Sequence, residues 1–287
     1  MYYGLIFLAV VMFGGCFALN DVYRNMRGSS MKISLQFTLI SSLAGLLVLL
    51  AANGFSVACT PFTLIIALLA AVNSIGFTFC GFKALGIINL SLYSLYSMLG
   101  GMMLPFLQGI LCYGESFTTA KIICLGFICA ALLLTVKKGE TKRGTIYYIG
   151  IFVLNGMSGV LSKFFASAPY PKTDAASYSI LTALCSAILA GLIFVFFFGK
   201  KDDIPKSTPP SVVVAALGGI VNRIANLILI VALAHVDASA QYPLVTGGVM
   251  IVSTVICFFR KNKPSKKEVL SIVLSFIGML SLFVIPI

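Results

Sequence analysis

The sequence predicts an all-α membrane protein whose ten transmembrane helices form two inverted five-helix repeats. The first observation is composition: of 287 residues, 60% are hydrophobic and 10% are charged, and the mean hydropathy is +1.07. Soluble domains carry about a quarter charged residues. The second is that the apolar residues fall into segments of about 20 residues, the length that crosses the hydrocarbon core of a bilayer. The third is a weak internal repeat.

The apolar segments follow one another almost from end to end, separated by short polar breaks, so no soluble domain is expected. The first segment lacks a basic start and an evident cleavage site with small residues, which favours a retained helix over a signal peptide. In chain order we predict spans at 2–20, 33–52, 61–82, 90–113, 120–136, 145–166, 175–199, 211–234, 239–259 and 268–286.

The basic residues lie mainly in alternate connections between the predicted spans. The formal net charge is +12 at pH 7, and the odd-numbered connections hold 16 of the 20 Lys and Arg residues. By the positive-inside rule these connections face the cytoplasm and both termini face outward. The charge excess is therefore topological, and we predict no nucleic-acid partner. The remaining four are Lys121, Lys163, Lys172 and Arg223.

The cysteines do not form a metal or redox pattern. Nearly all lie inside apolar spans and none belongs to a CxxC pair, so we expect small core residues and no metal site. The sequence also lacks a GxxxxGK[ST] phosphate loop, which excludes ATP as the energy source within this chain. We predict no cofactor. The eight are Cys16, Cys59, Cys80, Cys112, Cys124, Cys129, Cys185 and Cys257.

The internal repeat relates Ala84–Met102 to Ala232–Met250. At an offset of 148 residues the two stretches share five identities in nineteen positions. We therefore divide the chain into a first five-helix repeat at 1–136, a basic linker at 137–144 and a second repeat at 145–287. Because each half has an odd number of spans, the second copy enters the membrane from the opposite side. Inverted repeats place the ligand site near the bilayer midplane, where the copies face each other.

This layout resembles the drug/metabolite transporter superfamily, in particular its EamA-type ten-span members. The motifs that carry the resemblance are "FGGCFALND" from Phe13 to Asp21, the long stretch from Ala84 to Thr118 that contains Glu115, and the second copy from Ala232 to Met250. The resemblance implies a ten-helix secondary transporter. It also implies cytoplasmic termini, opposite to the orientation that the charge distribution predicts.

Arg223 is the strongest candidate site residue, since an arginine at membrane depth must face protein or a water-filled cavity. On an ideal helix Asn222, Asn226, Gly219 and Arg223 fall within an arc of about 100°. One alternative is that Arg223 binds carbonyl groups inside the bundle as a structural strut. A fixed ion pair is disfavoured because no Asp or Glu lies near the middle of any predicted span.

The sixth span repeats this polar stripe in "NGMSGVLSK", with Asn155 and Lys163 on one face. The resemblance implies that Lys163 occupies a basic position common in the family. Snorkelling of its amine to the interface is the alternative.

Further candidates lie on other spans. Tyr93 and Tyr96 share a helix face, with Gln241 and Tyr242 at the matching place in the second copy, and ordinary helix packing is their alternative role. Lesser candidates are Asn73 and Thr78. His235 with Asp237 forms the one neighbourhood of histidine and acid; it is a candidate for proton coupling, or an ordinary end of a span.

We therefore predict a secondary transporter, not an enzyme, that moves a small polar metabolite by alternating access. The basic side chains favour a substrate with a carboxylate or phosphate, such as an amino acid or organic acid. Two alternatives are a cationic or quaternary-amine metabolite held by aromatic residues, and an intramembrane enzyme that uses His235. Expected partners are this small molecule, the lipid bilayer and a proton or counter-substrate. We expect a multi-pass protein of a prokaryotic plasma membrane; the sequence does not predict its oligomeric state.

Overall fold

The computed structural model describes residues 2–114, 118–135, 142–198, 207–233, 238–260 and 263–284. Within these ranges the chain is all α-helical, without strands, which confirms the predicted all-α class. The helices in chain order are α1 (Tyr2–Arg27), α2 (Met31–Ala52), α3 (Pro61–Leu85), α4 (Leu90–Tyr113), α5 (Thr119–Thr135), α6 (Lys142–Ser167), α7 (Ala175–Phe198), α8 (Pro209–Leu233), α9 (Ala238–Phe258) and α10 (Lys266–Val284).

The helices have the length and surface expected in a membrane. Among the described residues, seven helices, α1 to α4 and α6 to α8, are long and apolar enough to span one. Two shorter apolar stretches, Thr119–Leu134 and Leu244–Phe258, belong to α5 and α9. Large apolar side chains point outward, for example Phe196, which is 79% exposed, and Leu133, which is 72% exposed. An apolar surface of this extent fits contact with lipid.

Several helices begin at side chains that cap their free N–H groups. Ser30 accepts from the amide of Ile33 at the start of α2, and Asn89 accepts from Leu92 at 2.9 Å at the start of α4. A capping box of Ser265 and Glu268 starts α10. These caps satisfy amides that would otherwise lack partners, so they fix where each helix begins.

The packing of the helices follows a regular pattern. The nine most extensive interfaces among the described residues pair α1 with α8 and α9, α6 with α3 and α4, α2 with α7 and α8, α3 with α7, α4 with α9, and α5 with α10. When each of α1 to α5 is replaced by the helix five places later in the chain, and each of α6 to α10 by the helix five places earlier, the same nine interfaces result. Six of the nine interfaces therefore form three equivalent pairs, and the other three, α2 with α7, α4 with α9 and α5 with α10, are each equivalent to themselves.

Close contacts at glycines show the same equivalence at residue level. A Cβ placed on Gly14 of α1 would collide with Val252 of α9, and one on Gly156 of α6 would collide with Leu104 of α4. Gly156 lies 142 residues after Gly14, and Leu104 lies 148 residues before Val252. The offset of 148 residues is the one that relates the two copies of the sequence repeat.

A second pair of glycine contacts follows the same two offsets. Gly248 of α9 would meet Val10 of α1, and Gly100 of α4 would meet the backbone of Phe152 of α6. Glycine at these places lets the helices approach closely.

Contacts between connections define two ends of the bundle. At the first, called the odd end, Arg27 at the end of α1 donates to Ser207 before α8, and Asn89 before α4 donates to Glu268 at the start of α10. These contacts join connections that follow α1, α3, α7 and α9. At the opposite, even end, the hydroxyl of Ser177 at the start of α7 accepts from the Ala58 amide before α3, at 3.1 Å.

Candidate functional site

A cavity of about 640 Å³ lies between α1, α2, α3, α6, α7 and α8. Its wall contains Asn20 of α1, Thr38 of α2 and Asn73 of α3, together with residues of the three helices from the second half. On α6 and α7 the lining extends to Ala166 and Ala175, which flank the connection at the even end. The cavity therefore runs from the middle of the bundle to the even end.

Arg223 lies in this wall, on the same stretch of α8 as Asn222 and Asn226. Its aliphatic part passes close to Gly45 of α2, where an added Cβ would be 2.7 Å from the Arg223 Cγ. Arg223 makes no hydrogen bond or ion pair with any residue that the structure describes. Tyr178 of α7 lines the same cavity.

The asparagines of the cavity wall form hydrogen bonds with the protein. The Asn226 amide donates to the Asn222 carbonyl at 2.8 Å and approaches the Asn222 side-chain oxygen at 3.3 Å. Asn73 donates to the Leu154 carbonyl at 2.8 Å and joins α3 to α6, while Asn155 donates to the Ser97 carbonyl at 2.6 Å and joins α6 to α4. Each of these side chains therefore has a fixed position at the cavity wall.

Thr78, another predicted candidate, also lines the cavity. Its hydroxyl donates to the carbonyl of Ser74, one turn earlier in α3, at 3.0 Å. The hydroxyl oxygen keeps its acceptor capacity toward the cavity.

Three predicted residues are not part of the described cavity wall. Tyr93 is 1% exposed and packs edge to face on Phe17 at 5.1 Å, so it lies behind a residue that does line the cavity. Tyr96 stacks on Tyr148 at 5.6 Å. The Lys163 amine lies 3.4 Å from the Pro105 carbonyl on α4.

The remaining predicted candidates fall where the structure gives no side-chain description. Gln241 and Tyr242 belong to α9, but their side chains lie outside the described part. His235 and Asp237, the predicted pair for proton coupling, lie outside the described residues.

Sequence reasoning missed a set of hydroxyl groups on α2 and α7. Thr38, Ser41 and Ser42 line the cavity from α2, and Tyr178, Ser179 and Thr182 line it from α7. Both sets have spacings of three or four residues, which place side chains on one face of a helix. That spacing, in two otherwise apolar helices that the predicted repeat makes equivalent, is the signal that identifies them.

An aromatic pair from α6 and α7 forms part of the cavity wall. Tyr178 stacks on Phe165 of α6, with ring centroids 4.2 Å apart and planes 12° from parallel. Phe62 of α3 stacks behind Phe165 at 6.3 Å. Both Tyr178 and Phe165 contribute to the cavity wall.

The opposite end of the cavity is closed by a packed aromatic cluster. Tyr23, Phe37 and Phe82 come from α1, α2 and α3, with ring centroids 4.9 to 5.8 Å apart. Ala215 of α8 packs into the same cluster and is fully buried. Because all four helices that line this part of the cavity contribute to it, the cluster separates the cavity from the odd end.

An ion pair joins α1 to the end of α9 near the same end of the bundle. Asp21 of α1 pairs with Arg260 after α9 and also with Arg24, one turn away on α1, at 2.9 Å. Arg260 donates in addition to the Ala18 carbonyl at 3.2 Å. These bonds hold α1 to the end of α9.

The chemistry of the described wall is that of a binding site for a polar solute. It combines one guanidinium with amides and hydroxyls and contains no carboxylate. A guanidinium without a protein partner presents donors in a planar fork that matches a carboxylate or phosphate. In the described part of the chain, no group of three or more metal-ligating side chains was found.

Comparison with known proteins supports the fold. No protein-family model matches the chain, and no curated protein is similar to it in sequence. A solved structure described as "Crystal structure of protein" superposes with a TM-score of 0.62 at 18% sequence identity. The superposition covers 96% of this chain and 94% of the other. The chain therefore shares its fold, over nearly its whole length, with an experimentally determined structure.

Proposed function

We propose that this chain is a secondary transporter that moves a small polar anionic metabolite across a membrane by alternating access. In this proposal the ten helices all span the membrane, as two inverted five-helix repeats. Support comes from the helix interfaces, whose main pairs are exchanged by a shift of five helices, and from the glycine contacts at two constant offsets. The resemblance to EamA-type transporters agrees with this architecture.

The observation that carries the proposal is Arg223. An arginine at membrane depth costs from about 3 kcal/mol to more than 10 kcal/mol, depending on its surroundings. Within the described structure no acid neutralises it, and it faces a cavity large enough for a small metabolite. We infer that the anionic group of the substrate is its partner, with Asn222 and Asn226 as additional hydrogen-bonding groups.

The shape of the cavity supports alternating access. The cavity reaches the even end, whereas the Tyr23, Phe37 and Phe82 cluster separates it from the odd end. A transporter with inverted repeats is expected to have this asymmetry in either of its two end states. In the positive-inside orientation, the observed state is the outward-facing one.

Arg223 also favours an anion over the alternative of a cationic or quaternary-amine substrate. A permanent positive charge in the wall repels a cation across the low-dielectric interior. The two tyrosines that the sequence predicted for such a cation, Tyr93 and Tyr96, are not part of the described wall. The cavity does have aromatic residues, but the Arg223 charge lies among them.

The test is anion binding by the purified full-length protein and its Arg223→Gln variant. We expect Arg223→Gln to weaken the binding of hexanoate, gluconate or inorganic phosphate by roughly ten- to a hundredfold, because a charge-assisted pair contributes about 1.5–3 kcal/mol. Arg223→Lys keeps the charge but loses the fork, so we expect an intermediate loss. The matched control is Lys163→Gln, which removes the second basic residue that the sequence predicted as a site residue. Lys163 lies outside the described cavity wall.

Melting temperatures of the same variants separate binding from folding. Normal affinity with a lowered melting temperature in Arg223→Gln would make the arginine a structural strut and contradict the proposal. Equal losses in Arg223→Gln and Lys163→Gln would indicate a general effect of net charge and would contradict it as well.

A further inference from the structure

We propose that the substrate is a polyhydroxylated molecule with a single anionic group, of the sugar-acid or sugar-phosphate type. This inference rests on the proposed function and narrows the substrate class that the cavity accepts. It depends on three features of the described wall, which are its density of hydroxyl groups, the direction in which they donate, and the balance of charges.

Hydroxyl groups dominate the polar part of the wall. Ten Ser, Thr and Tyr side chains and five Asn side chains line the cavity, compared with one charged residue. A wall that only had to hold a carboxylate and an apolar chain would need only a few polar groups for orientation. The excess of hydroxyls therefore indicates a substrate with hydrogen-bonding groups distributed along its length.

Many of these hydroxyls act as acceptors toward the cavity. Thr78, Ser179 and Thr182 donate their protons to carbonyl groups one turn earlier in their own helices, at 2.9–3.0 Å. Ser41 donates in the same way to Thr38 at 3.3 Å. The oxygen of each hydroxyl retains acceptor capacity. A row of acceptors is complementary to substrate O–H groups, and a purely anionic solute has none of these donors to offer.

The charges distinguish this class from amino acids and from diacids. An α-amino acid carries an ammonium group next to its carboxylate, and the described wall offers the ammonium no carboxylate while placing Arg223 nearby. A second anionic group would find no second cation in the described wall. One negative charge on a polyhydroxylated chain satisfies both conditions.

Four probes of equal carbon-chain length test the inference with the full-length protein in nanodiscs. Gluconate has the carboxylate and the hydroxyls, hexanoate has only the carboxylate, sorbitol has only the hydroxyls, and norleucine adds an ammonium. We expect gluconate to bind at least about tenfold more tightly than each of the others, since it gains several hydrogen bonds or the charge-assisted pair. Because hexanoate also partitions into lipid, the hexanoate signal measured with Arg223→Gln is used as the background.

Variants of α7 test the role of the hydroxyls. We expect Ser179→Ala combined with Thr182→Val to weaken gluconate binding by about two- to tenfold for each hydroxyl lost, and to leave hexanoate binding unchanged. The control is Ser186→Ala on the same helix, a buried serine outside the described wall, which should change neither. If the double variant fails to fold, Ser179→Ala alone makes the same comparison.

The possible results separate the two proposals. Arg223-dependent binding of hexanoate or norleucine that equals or exceeds gluconate binding overturns the polyhydroxylated class and leaves the anion transporter standing. Gluconate binding that the α7 variants do not weaken overturns the inference in the same way. If no anion binds in an Arg223-dependent manner, both proposals fall.

Discussion

The position of Arg223 is set by the absence of a side chain on the opposite helix. Gly45 of α2 lies against the aliphatic part of Arg223, and a Cβ there would be 2.7 Å from Cγ and 3.4 Å from Nε. Gly219, one turn before Arg223, packs against the backbone of Ser41, which brings α8 close to α2. The guanidinium therefore reaches the cavity along a path that two glycines leave open.

We predict that Gly45→Ala lowers anion affinity although it leaves Arg223 in place. The added methyl must displace the Arg223 side chain, and a misplaced fork loses part of a charge-assisted pair, so we expect a loss of about three- to tenfold. The measurement is hexanoate or gluconate binding to the purified variant. Gly191→Ala is the control, because its added methyl would make an ordinary contact with Leu39 at 3.8 Å. Unchanged affinity in Gly45→Ala would show that the guanidinium position does not depend on this contact.

At the level of the helices, hydropathy predicted the position of each helix well and its ends less well. The span predicted at 90–113 coincides with α4, since Asn89 caps one end and Gly114, with a φ of 65°, stops the other. The span predicted at 2–20 is too short, because α1 continues to Arg27. Asp21, Arg24 and Arg27 are too polar for a hydropathy window, yet they remain helical because they make ion pairs and hydrogen bonds at the odd end.

Sequence reasoning identified the cavity-lining residues whose types are rare in apolar spans, and it missed those whose types are common there. Arg223 and the asparagines stand out in apolar spans, because a strongly polar side chain at membrane depth needs a reason. Ser and Thr can satisfy their own hydrogen bonds within a helix, so Ser179 or Thr182 gives no such signal. Tyr93 and Tyr96 were predicted on the same grounds as Arg223, but an aromatic side chain can also be buried by packing, as Tyr93 is against Phe17.

The start of α7 gives a prediction about pH. Asp174 accepts from the Ser177 amide at 3.0 Å, and the hydrogen bonds from the Ser177 side chain and backbone hold the pKa of Asp174 below its ordinary value of 3.8. A pKa lowered in the folded state gives a stabilisation that is complete above the unfolded pKa and is lost as the pH falls through the folded one. This cap also orients the turn that carries Tyr178 and Ser179.

We therefore predict that Asp174→Ala lowers the melting temperature at neutral pH, with a loss of about 0.5–2 kcal/mol that is typical of an N-cap. The difference from the natural chain should shrink toward about pH 3, as the carboxyl group protonates. Asp174→Asn is the control, since an amide oxygen also caps a helix but does not titrate, and its advantage over Asp174→Ala should not depend on pH. If the difference in melting temperature between the natural chain and Asp174→Ala stayed constant over this pH range, it would contradict a role for the charged form of Asp174.

On the scale of the whole molecule, the two ends of the cavity are in different states. The odd end is packed with Tyr23, Phe37, Phe82 and Ala215, while at the even end the lining reaches the connection between α6 and α7. If the halves are equivalent, the pair of Phe165 and Tyr178 on α6 and α7 corresponds to the pair of Tyr23 and Phe37 on α1 and α2. Both pairs join the first and second helices of their repeat, and both are in ring contact, at 4.9 Å and 4.2 Å. Tyr23 and Phe37 belong to a cluster with Phe82 and Ala215, whereas Phe165 and Tyr178 both line the cavity.

The last prediction tests whether these ends move together. Arg260→Gln removes the tie between α1 and the end of α9 but keeps the pair of Asp21 and Arg24, so it should favour opening of the odd end. In a cysteine-free background we expect a cysteine at Ala215 to react up to about fivefold faster with a soluble maleimide, and one at Ser179 to react more slowly, since a partly exposed ion pair contributes about 0.2–1 kcal/mol. Arg24→Gln, which removes only the ion pair within α1, is the matched control and should change both rates less. Reciprocal rates would link opening of one end to closing of the other, as alternating access requires. Faster reaction at Ala215 with no change at Ser179 would mean that the odd end opens without closing of the even end. Such a result would contradict alternating access between these two ends.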